Sequence, residues 1–419
     1  MQNWRDYVTD DVTLVFDLDS PCYMSASAYE KVELQIVHKE SGRELFKEKN
    51  VEVQESVCVN PYTLEVDYMG DERPRYIRQG TGQFVNIRFK NKTEFWGRTK
   101  KVPSGWLGNL NNKREAEGKP QFSREDFEIT EIRTADDVSF AINSLKMKIQ
   151  NVKDYLQIDR SIYLIGSGDS HRDVLELPSN PDKDLICSKY KGDRVYMPRP
   201  ILLKDVRQYA VNFLGAKDIK GVEADDVLNM YGFESHKHYK STGKHKYILV
   251  TIDKDQRGFN CMLFNPFKTD DKQWKHPYPI IIDGFGKIDL VDGEVKGYGQ
   301  LWLLTQMLIG DATDGYGPTR NMGISFGDVS AYKVLSGCKT IKEAVEAVAK
   351  QYLTWYPNGV QFKSWTGKDV NVPWWEWADT MWACAYMLKN RDDKTSFTSV
   401  MKSLKIDYEN MKLEEPNDS

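Results

Sequence analysis

Three short stretches of this chain are apolar almost without a break, and each leads to an acid. Val12-Thr-Leu-Val-Phe16 runs into Asp17-Leu18-Asp19, Ile162-Tyr-Leu-Ile165 passes through Gly-Ser-Gly to Asp169, and Tyr247-Ile-Leu-Val-Thr-Ile252 meets Asp253. Unbroken hydrophobicity is what strands covered on both faces present, and open parallel sheets hold ligands at the carboxyl ends of such strands. Helical periods lie between them. Val138, Ile142, Leu145, Ile149, Val152 and Leu156 keep one face apolar, with Thr134 and Asp137 as the expected cap; Leu202, Val206, Tyr209 and Phe213 mark a further helix. Alternating strands and helices predict an α/β core with a doubly wound, mostly parallel sheet.

Residues 31–133 follow another rhythm. Lys31–Val37 alternates, Ser41-Gly42 makes a turn before Glu44-Leu-Phe46, and Gln83–Phe89 alternates again, so a β-rich insertion of unknown role is expected there. From 337 to 419 the pattern reads as helical. Trp374, Trp375, Trp377 and Trp382 mark a helix whose aromatics are expected to fill a core. The domain plan is then a core of 1–30 and 134–336, the insertion at 31–133, and a helical C-terminal region at 337–419.

Composition narrows the setting. A chain of 419 residues has room for two or three domains. No apolar run approaches the ~20 residues of a membrane span, and charges near the N-terminus argue against a signal peptide. Cys22, Cys58, Cys187, Cys261, Cys338 and Cys384 form no CxxC pair, which fits reduced thiols and a cytoplasmic location. The net charge is only −4. That does not exclude a nucleic-acid partner, because local basic patches govern affinity once an acidic site is screened.

Three acidic clusters carry the chemistry: Glu223-Ala224-Asp225-Asp226, Asp253-Lys254-Asp255 and Asp311-Ala312-Thr313-Asp314. On a helix Glu223 and Asp226 share a face while Asp225 points about 100° away, and Asp311 and Asp314 would share a face across one turn. Burying such groups unpaired costs several kcal/mol each, a cost that divalent cations remove. Oxygen-only donors select hard ions, Mg²⁺ or Mn²⁺, and two such ions side by side are suited to phosphodiester cleavage. With Asp17 and Asp169 the candidate ligands number nine.

The runs Tyr190-Lys-Gly-Asp-Arg194, Gly221-Val-Glu-Ala-Asp-Asp226, Thr251-Ile-Asp-Lys-Asp255 and Gly310-Asp-Ala-Thr-Asp-Gly315 resemble, in order and spacing, the motifs of the 5′-nuclease superfamily. That family includes phage flap endonucleases, phage 5′-3′ exonucleases and the 5′-nuclease domain of bacterial DNA polymerase I. The likeness covers about 160–335 and residues 11–28. It implies a PIN-like fold with a short helical arch, and a helix-three-turn-helix at about 311–336 that binds duplex DNA. It implies two Mg²⁺ ions, for which Mn²⁺ may substitute. Asp17, Asp169, Glu223 and Asp225 match the first cluster; Asp226, Asp253, Asp255, Asp311 and Asp314 match the bridging and second-cluster ligands. The implied reaction is hydrolysis of DNA at a 5′ end or 5′ flap, leaving 5′-phosphates, in phage DNA replication or degradation of host DNA. A phage enzyme would work in the cytoplasm of an infected bacterium, and the insertion could receive a replication-protein partner.

Lys191 and Arg194, with Lys189 beside them, match the arch-base residues that contact the scissile phosphate; a guanidinium grips phosphate through two bonds and an ammonium acts as a point charge. Gly323 and Gly327 match backbone that approaches duplex phosphates. Here the turn reads Met322-Gly-Ile-Ser-Phe-Gly-Asp328, without the family's lysine after the second glycine, which leaves the family's K⁺ ion in doubt.

Weaker signals stand apart. Arg88, Lys90, Lys92, Arg98, Lys100, Lys101, Lys113 and Arg114 interleave with Phe95, Trp96 and Trp106, either to track single-stranded DNA or as a solvated face. His236, His238 and His245 read as a polar loop more readily than as a metal site. Three rivals remain: a nuclease directed at RNA/DNA hybrids, a haloacid-dehalogenase-type phosphatase using Asp17 as nucleophile and Asp19 as acid/base, and a non-catalytic DNA-binding protein.

Overall fold

The structure, a computed structural model, describes residues 3–59, 75–97, 104–168, 170–266 and 278–412, with backbone alone for 48–59 and 75–86. The chain divides into two units, Met1–Ala28 with Val138–Ser419, and Tyr29–Asp137. β1 (Val8–Asp17) and α1 (Asp19–Ser27) open the first unit. The second holds β2 (Glu30–His38), β3 (Lys47–Val59), β4 (Arg75–Ile87), α2 (Lys92–Trp96), α3 (Trp106–Ala116) and β5 (Phe127–Ala135). The first unit resumes with α4 (Val138–Leu156), β6 (Ser161–Gly166), α5 (Leu203–Leu214), β7 (Lys217–Ile219), α6 (Ala224–Thr242) and β8 (His245–Val250). Short strands β9 (Cys261–Phe264), β10 (Ile280–Ile282), β11 (Lys287–Val291) and β12 (Glu294–Tyr298) follow. The remainder is α7 (Gln300–Ile309), α8 (Asp328–Leu335), α9 (Ile341–Trp355), β13 (Val360–Lys363), β14 (Asp369–Val372), α10 (Trp374–Ala385) and α11 (Phe397–Ser403). No helix among the described residues is long and apolar enough to cross a membrane.

The central sheet has the order β10-β9-β8-β1-β6-β7 and is parallel except at the β10 edge. Leu14, Val15, Phe16, Leu164, Ile248, Leu249 and Val250 are all buried, which is why these strands read as unbroken apolar runs. From β1 the chain moves to β6 and β7 on one side; α6 then carries it across to β8 on the other. Strand order reverses between β1 and β8, and doubly wound sheets open a crevice for ligands at the carboxyl ends of such a pair. Asp17 ends one of these strands and Asp253 follows the other.

One helix start and one helix face differ from the sequence expectation. Thr134 does not cap α4, because Lys31 pairs with Thr134 and Glu30 with Ala135 in the β2–β5 ladder, and α4 starts at Val138. In α5 the buried stripe is Leu203, Val206 and Ala210, while Phe213 is exposed and stacks on Tyr209 at 5.1 Å. The expected apolar face was thus offset: alanine and leucine fill the inner side, and the aromatics pair with each other outside.

In the second unit, β2 pairs antiparallel with β5 and β3 with β4. Leu34, Ile36, Phe89, Phe95, Leu107 and Phe127 make a small core. Phe95 is buried, and the half-buried Trp106 stacks on it at 5.9 Å and, like Trp96, packs against this core. Arg88 pairs with Glu44 at 2.8 Å; Arg98, Lys100 and Lys101 lie outside the described residues.

α7 to α11 share one core built on Met307, Leu335, Tyr352, Trp377, Met381 and Phe397. Trp374, Trp377 and Trp382 of α10 are buried in it, and the β13–β14 hairpin interrupts the helical pattern. His236 and His238 sit on α6 and His245 opens β8, so they are not a loop. His236 and His245 are buried, and His236 faces Asp283 at 3.4 Å, at the amino end of β8 and away from the acidic crevice.

Candidate metal centre

β1 delivers Asp17 at its end, where the backbone leaves the sheet. One carboxylate oxygen accepts the amide of Asp19 at 2.9 Å and the other accepts the hydroxyl of Thr251, just past β8, at 3.1 Å. The crevice at the strand reversal is therefore bridged by an acid. Asp253 accepts the amide of Asp255 at 2.8 Å, and its own amide bonds to Thr251 Oγ1 at 3.0 Å, so the turn after β8 presents both acids from a fixed backbone.

α6 brings the next group. Glu223 is its N-cap and Asp226 its third residue, and their side chains and amides form a capping box at the positive end of the helix dipole. Asp225, between them, is half-buried, and its Oδ1, itself out of reach of solvent, has no hydrogen-bond partner among the described residues. Leaving such an oxygen unmatched costs several kcal/mol.

The third group is not helical, contrary to the expectation that Asp311 and Asp314 share a helix face. α7 stops at Ile309 because Gly310 takes a left-handed φ of 73°, which its lack of a side chain permits. Asp311 and Tyr316 then exchange backbone bonds of 3.0 and 3.1 Å, closing a tight loop. Asp311 Oδ1 accepts the amides of Thr313 and Asp314 at 2.6 and 3.3 Å. α7 ends at Ile309, before this loop, and within 311–336 the helix is α8, at Asp328–Leu335. Gly323 and Gly327 are exposed, with open space where a side chain would stand.

Among the described residues, four lysine and arginine side chains reach these acids. Arg172 is buried and forms a two-pronged pair with Asp226, at 2.8 and 2.9 Å, while also donating to Glu223 at 3.0 Å. Lys191 Nζ lies 2.6 Å from Glu223 and 3.7 Å from Asp314; Arg194 donates to Asp314 at 2.6 Å; Lys254 Nζ lies 2.9 Å from Asp311. Tyr190 ties the groups together through its hydroxyl, 2.9 Å from Asp314 and 3.4 Å from Glu223. Gln306 of α7 donates to Asp255.

Lys191 aims inward from a left-handed backbone, φ 56°, held by its amide on the Asp314 carbonyl at 2.7 Å. A non-glycine residue in this region is strained, and here the strain puts an ammonium among carboxylates. Lys189 pairs instead with Asp173 at 3.0 Å. The stretch read as a short helical arch folds into 3₁₀ turns at Leu185–Ser188 and Gly192–Tyr196 ahead of α5.

The charges do not balance. Asp17, Glu223, Asp225, Asp226, Asp253, Asp255, Asp311 and Asp314 face Arg172, Lys191, Arg194 and Lys254, an excess of four negative charges if all were ionised. Burial opposes full ionisation of this set. Burial, with Asp19 and Asp253 adding repulsion, pushes Asp17 up to about 7. Burial and the nearby acids likewise raise Asp253 and, strongly, Asp225 and Asp255. Two groups move the other way. Burial would raise Asp226, but the Arg172 guanidinium holds it below the usual carboxylate range, and Lys254 does the same for Asp311.

Acids that resist ionisation where they stand, one of them with an orphaned oxygen, fit a site for divalent cations; two such ions would supply four positive charges. As they stand, among the described residues, no three His, Cys, Asp or Glu side chains are gathered closely enough to hold an ion. Lysine and arginine groups occupy several of the oxygens instead. Asp169 lies outside the described residues. Sequence reasoning missed Arg172 and Lys254: the first has no local pattern, and the second is visible only as a basic residue between Asp253 and Asp255.

No family model matches the sequence, and no curated protein does. Among solved structures the chain is similar to the T5 D15 protein co-crystallised with metal ions, at 15% identity and a TM-score of 0.33, over 59% of this chain and 82% of that one. It is similar also to a lysine-to-alanine mutant of the T5 5′-exonuclease, at 15% identity and a TM-score of 0.32, over 59% of this chain and 81% of that one. Likeness at this level carries no argument about the site, whose chemistry rests on its own side chains.

Proposed function

We propose that the protein is a divalent-metal-dependent 5′-nuclease that hydrolyses DNA phosphodiesters. The observation that carries this reading is the buried acidic crevice at the strand reversal, with Asp225 Oδ1 orphaned and Asp17 held up to about 7 by burial and neighbouring acids. The order of the four motifs supports it. Asp17, Glu223, Asp225 and Asp253 would hold one ion; Asp255, Asp311 and Asp314 the other; Asp169 is kept as a further ligand on the resemblance alone. Such ions supply positive charge where a phosphodiester gathers negative charge during cleavage.

The chain's own residues do the rest. Lys191 and Arg194 project from one turn toward both carboxylate groups, and each can take a phosphate oxygen when the acids are otherwise neutralised. Asp226, matched by resemblance to a bridging ligand, is read here as a strut, because both its oxygens are committed to Arg172. Gly323 and Gly327 offer bare backbone to a duplex.

The phosphatase reading is disfavoured by Asp19. Its carboxylate accepts the Gly166 amide at 3.0 Å and pairs with Arg207, so it is not free to shuttle a proton to a leaving group. The reading is tested with a 5′-flap duplex, a blunt duplex and an RNA/DNA hybrid, each labelled at either end, in Mg²⁺ or EDTA. Metal-dependent cutting from the 5′ side is expected, and activity retained by Asp19→Asn separates nuclease from phosphatase. No cutting of any substrate in Mg²⁺ or Mn²⁺ would overturn it; preference for the hybrid would move the substrate to RNA/DNA.

A further inference from the structure

We propose that Lys254 is a built-in counter-ion of the carboxylate cluster, displaced from Asp311 when a divalent cation binds. This deepens the metal-centre reading and rests on it. Lys254 Nζ sits 2.9 Å from Asp311 Oδ2, with Asp253 and Asp255 as its chain neighbours. Lys191 is its counterpart on the other group, 2.6 Å from Glu223. Each ammonium thus occupies an oxygen that the proposed ions require.

The site's cations differ in how they are held. Arg172 is buried, and beyond Asp226 and Glu223 it donates to the carbonyls of Ala383 at 3.0 Å and Tyr386 at 2.6 Å, so it is fixed. Lys254 has a pinned backbone, its carbonyl accepting the Trp302 indole N–H at 3.1 Å, but a half-exposed side chain whose one ion pair among the described residues is with Asp311. A hydrated point charge on a flexible four-carbon stem can leave without disturbing the fold.

Two cations competing for one set of oxygens are coupled negatively, and the coupling is reciprocal. Removing the charge of Lys254 must tighten ion binding, and binding the ion must free Lys254. The released ammonium would stand at the rim of the centre, where a substrate phosphate arrives.

The test is titration of the full chain with MnCl₂ alone at neutral pH, comparing wild type, Lys254→Met, which keeps the stem, and Lys254→Arg, which keeps the charge. The Met variant is expected to bind Mn²⁺ roughly five-fold tighter or more, as typical site-to-site couplings give, and the Arg variant to stay near wild type. In parallel, an amine-acylating reagent followed by mass spectrometry should modify Lys254 faster with Mn²⁺ than with EDTA. Equal or weaker Mn²⁺ binding by Lys254→Met, or slower acylation with Mn²⁺, overturns the counter-ion role while the metal centre stands. Failure of the wild type to bind Mn²⁺ overturns both.

Discussion

Replacing Arg172 with methionine isolates the strut beneath the acidic crevice. The guanidinium makes five hydrogen bonds, to both oxygens of Asp226, to Glu223 and to the carbonyls of Ala383 and Tyr386, and Asp226 also accepts the amide of Leu388 at 3.1 Å. Arg172 therefore joins the start of α6 to the C-terminal end of α10. Removing one partner of a buried pair leaves an uncompensated charge and costs about 3–5 kcal/mol. The double variant Arg172→Met/Asp226→Leu removes both charges and is expected to recover most of that loss, less roughly 1 kcal/mol for each amide that loses its acceptor.

The pH dependence gives the sign. In the wild type Asp226 lies below the ordinary carboxylate range, so its contribution is complete above the unfolded value of ~3.9 and does not change between pH 5.5 and 7.5. Without Arg172, burial dominates and Asp226 should hold its proton, so the deficit of the single variant shrinks as pH falls toward 5.5. Urea unfolding followed by tryptophan fluorescence at the two pH values measures this. A single-variant loss under about 1 kcal/mol, or a double variant no more stable than the single, would refute the strut.

Further outcomes follow from the same geometry. Asp225→Asn replaces a carboxyl that its surroundings resist ionising with a neutral amide, so in EDTA at pH 7.5 its thermal midpoint should match or exceed wild type, while the increment conferred by Mg²⁺ disappears; an undiminished Mg²⁺ increment contradicts its ligand role. Carboxyls with raised folded values, Asp17 at about 7 among them, stabilise the metal-free fold below the unfolded ~3.9, and that contribution is lost as pH rises through the folded value. The thermal increment from saturating Mg²⁺ should therefore grow between pH 5 and 8, and a flat increment would count against the protonated crevice. Gly192→Ala places a Cβ 1.9 Å from the Ile186 carbonyl, which must displace the turn carrying Lys191 and Arg194. Cleavage should fall at least as far as in Lys191→Ala, roughly 10²-fold, with Mn²⁺ binding retained; unchanged cleavage removes the turn from the site.

The crevice was legible because burial and chemistry coincide in local sequence: Val12–Phe16 ending on Asp17 and the strand before Asp253 announce parallel strands and their acidic ends at once. Spacing misled where backbone geometry intervened. Asp311 and Asp314 stand three apart as on a helix, yet Gly310 ends α7 and the two acids share a loop. Asp226 looked like its neighbour Asp225, and only Arg172, 54 residues earlier in the chain, distinguishes a strut from an orphaned oxygen. Basic residues around Phe95 and Trp106 read equally as a track for single strands or a solvated face, and sequence spacing did not show that Phe95 fills the core of the second unit with Trp106 packed against it. Pairings between distant segments leave no periodic trace, so sequence located the acids and structure sorted their roles.

The most direct measurement is anomalous diffraction from crystals of the protein soaked in MnCl₂. Two manganese peaks are expected, one among Asp17, Glu223, Asp225 and Asp253 and one among Asp255, Asp311 and Asp314, with Asp226 still paired to Arg172. A crevice without manganese at saturating concentration, its acids still held by protons, Lys191 and Lys254, would contradict the metal centre and the nuclease reading built on it.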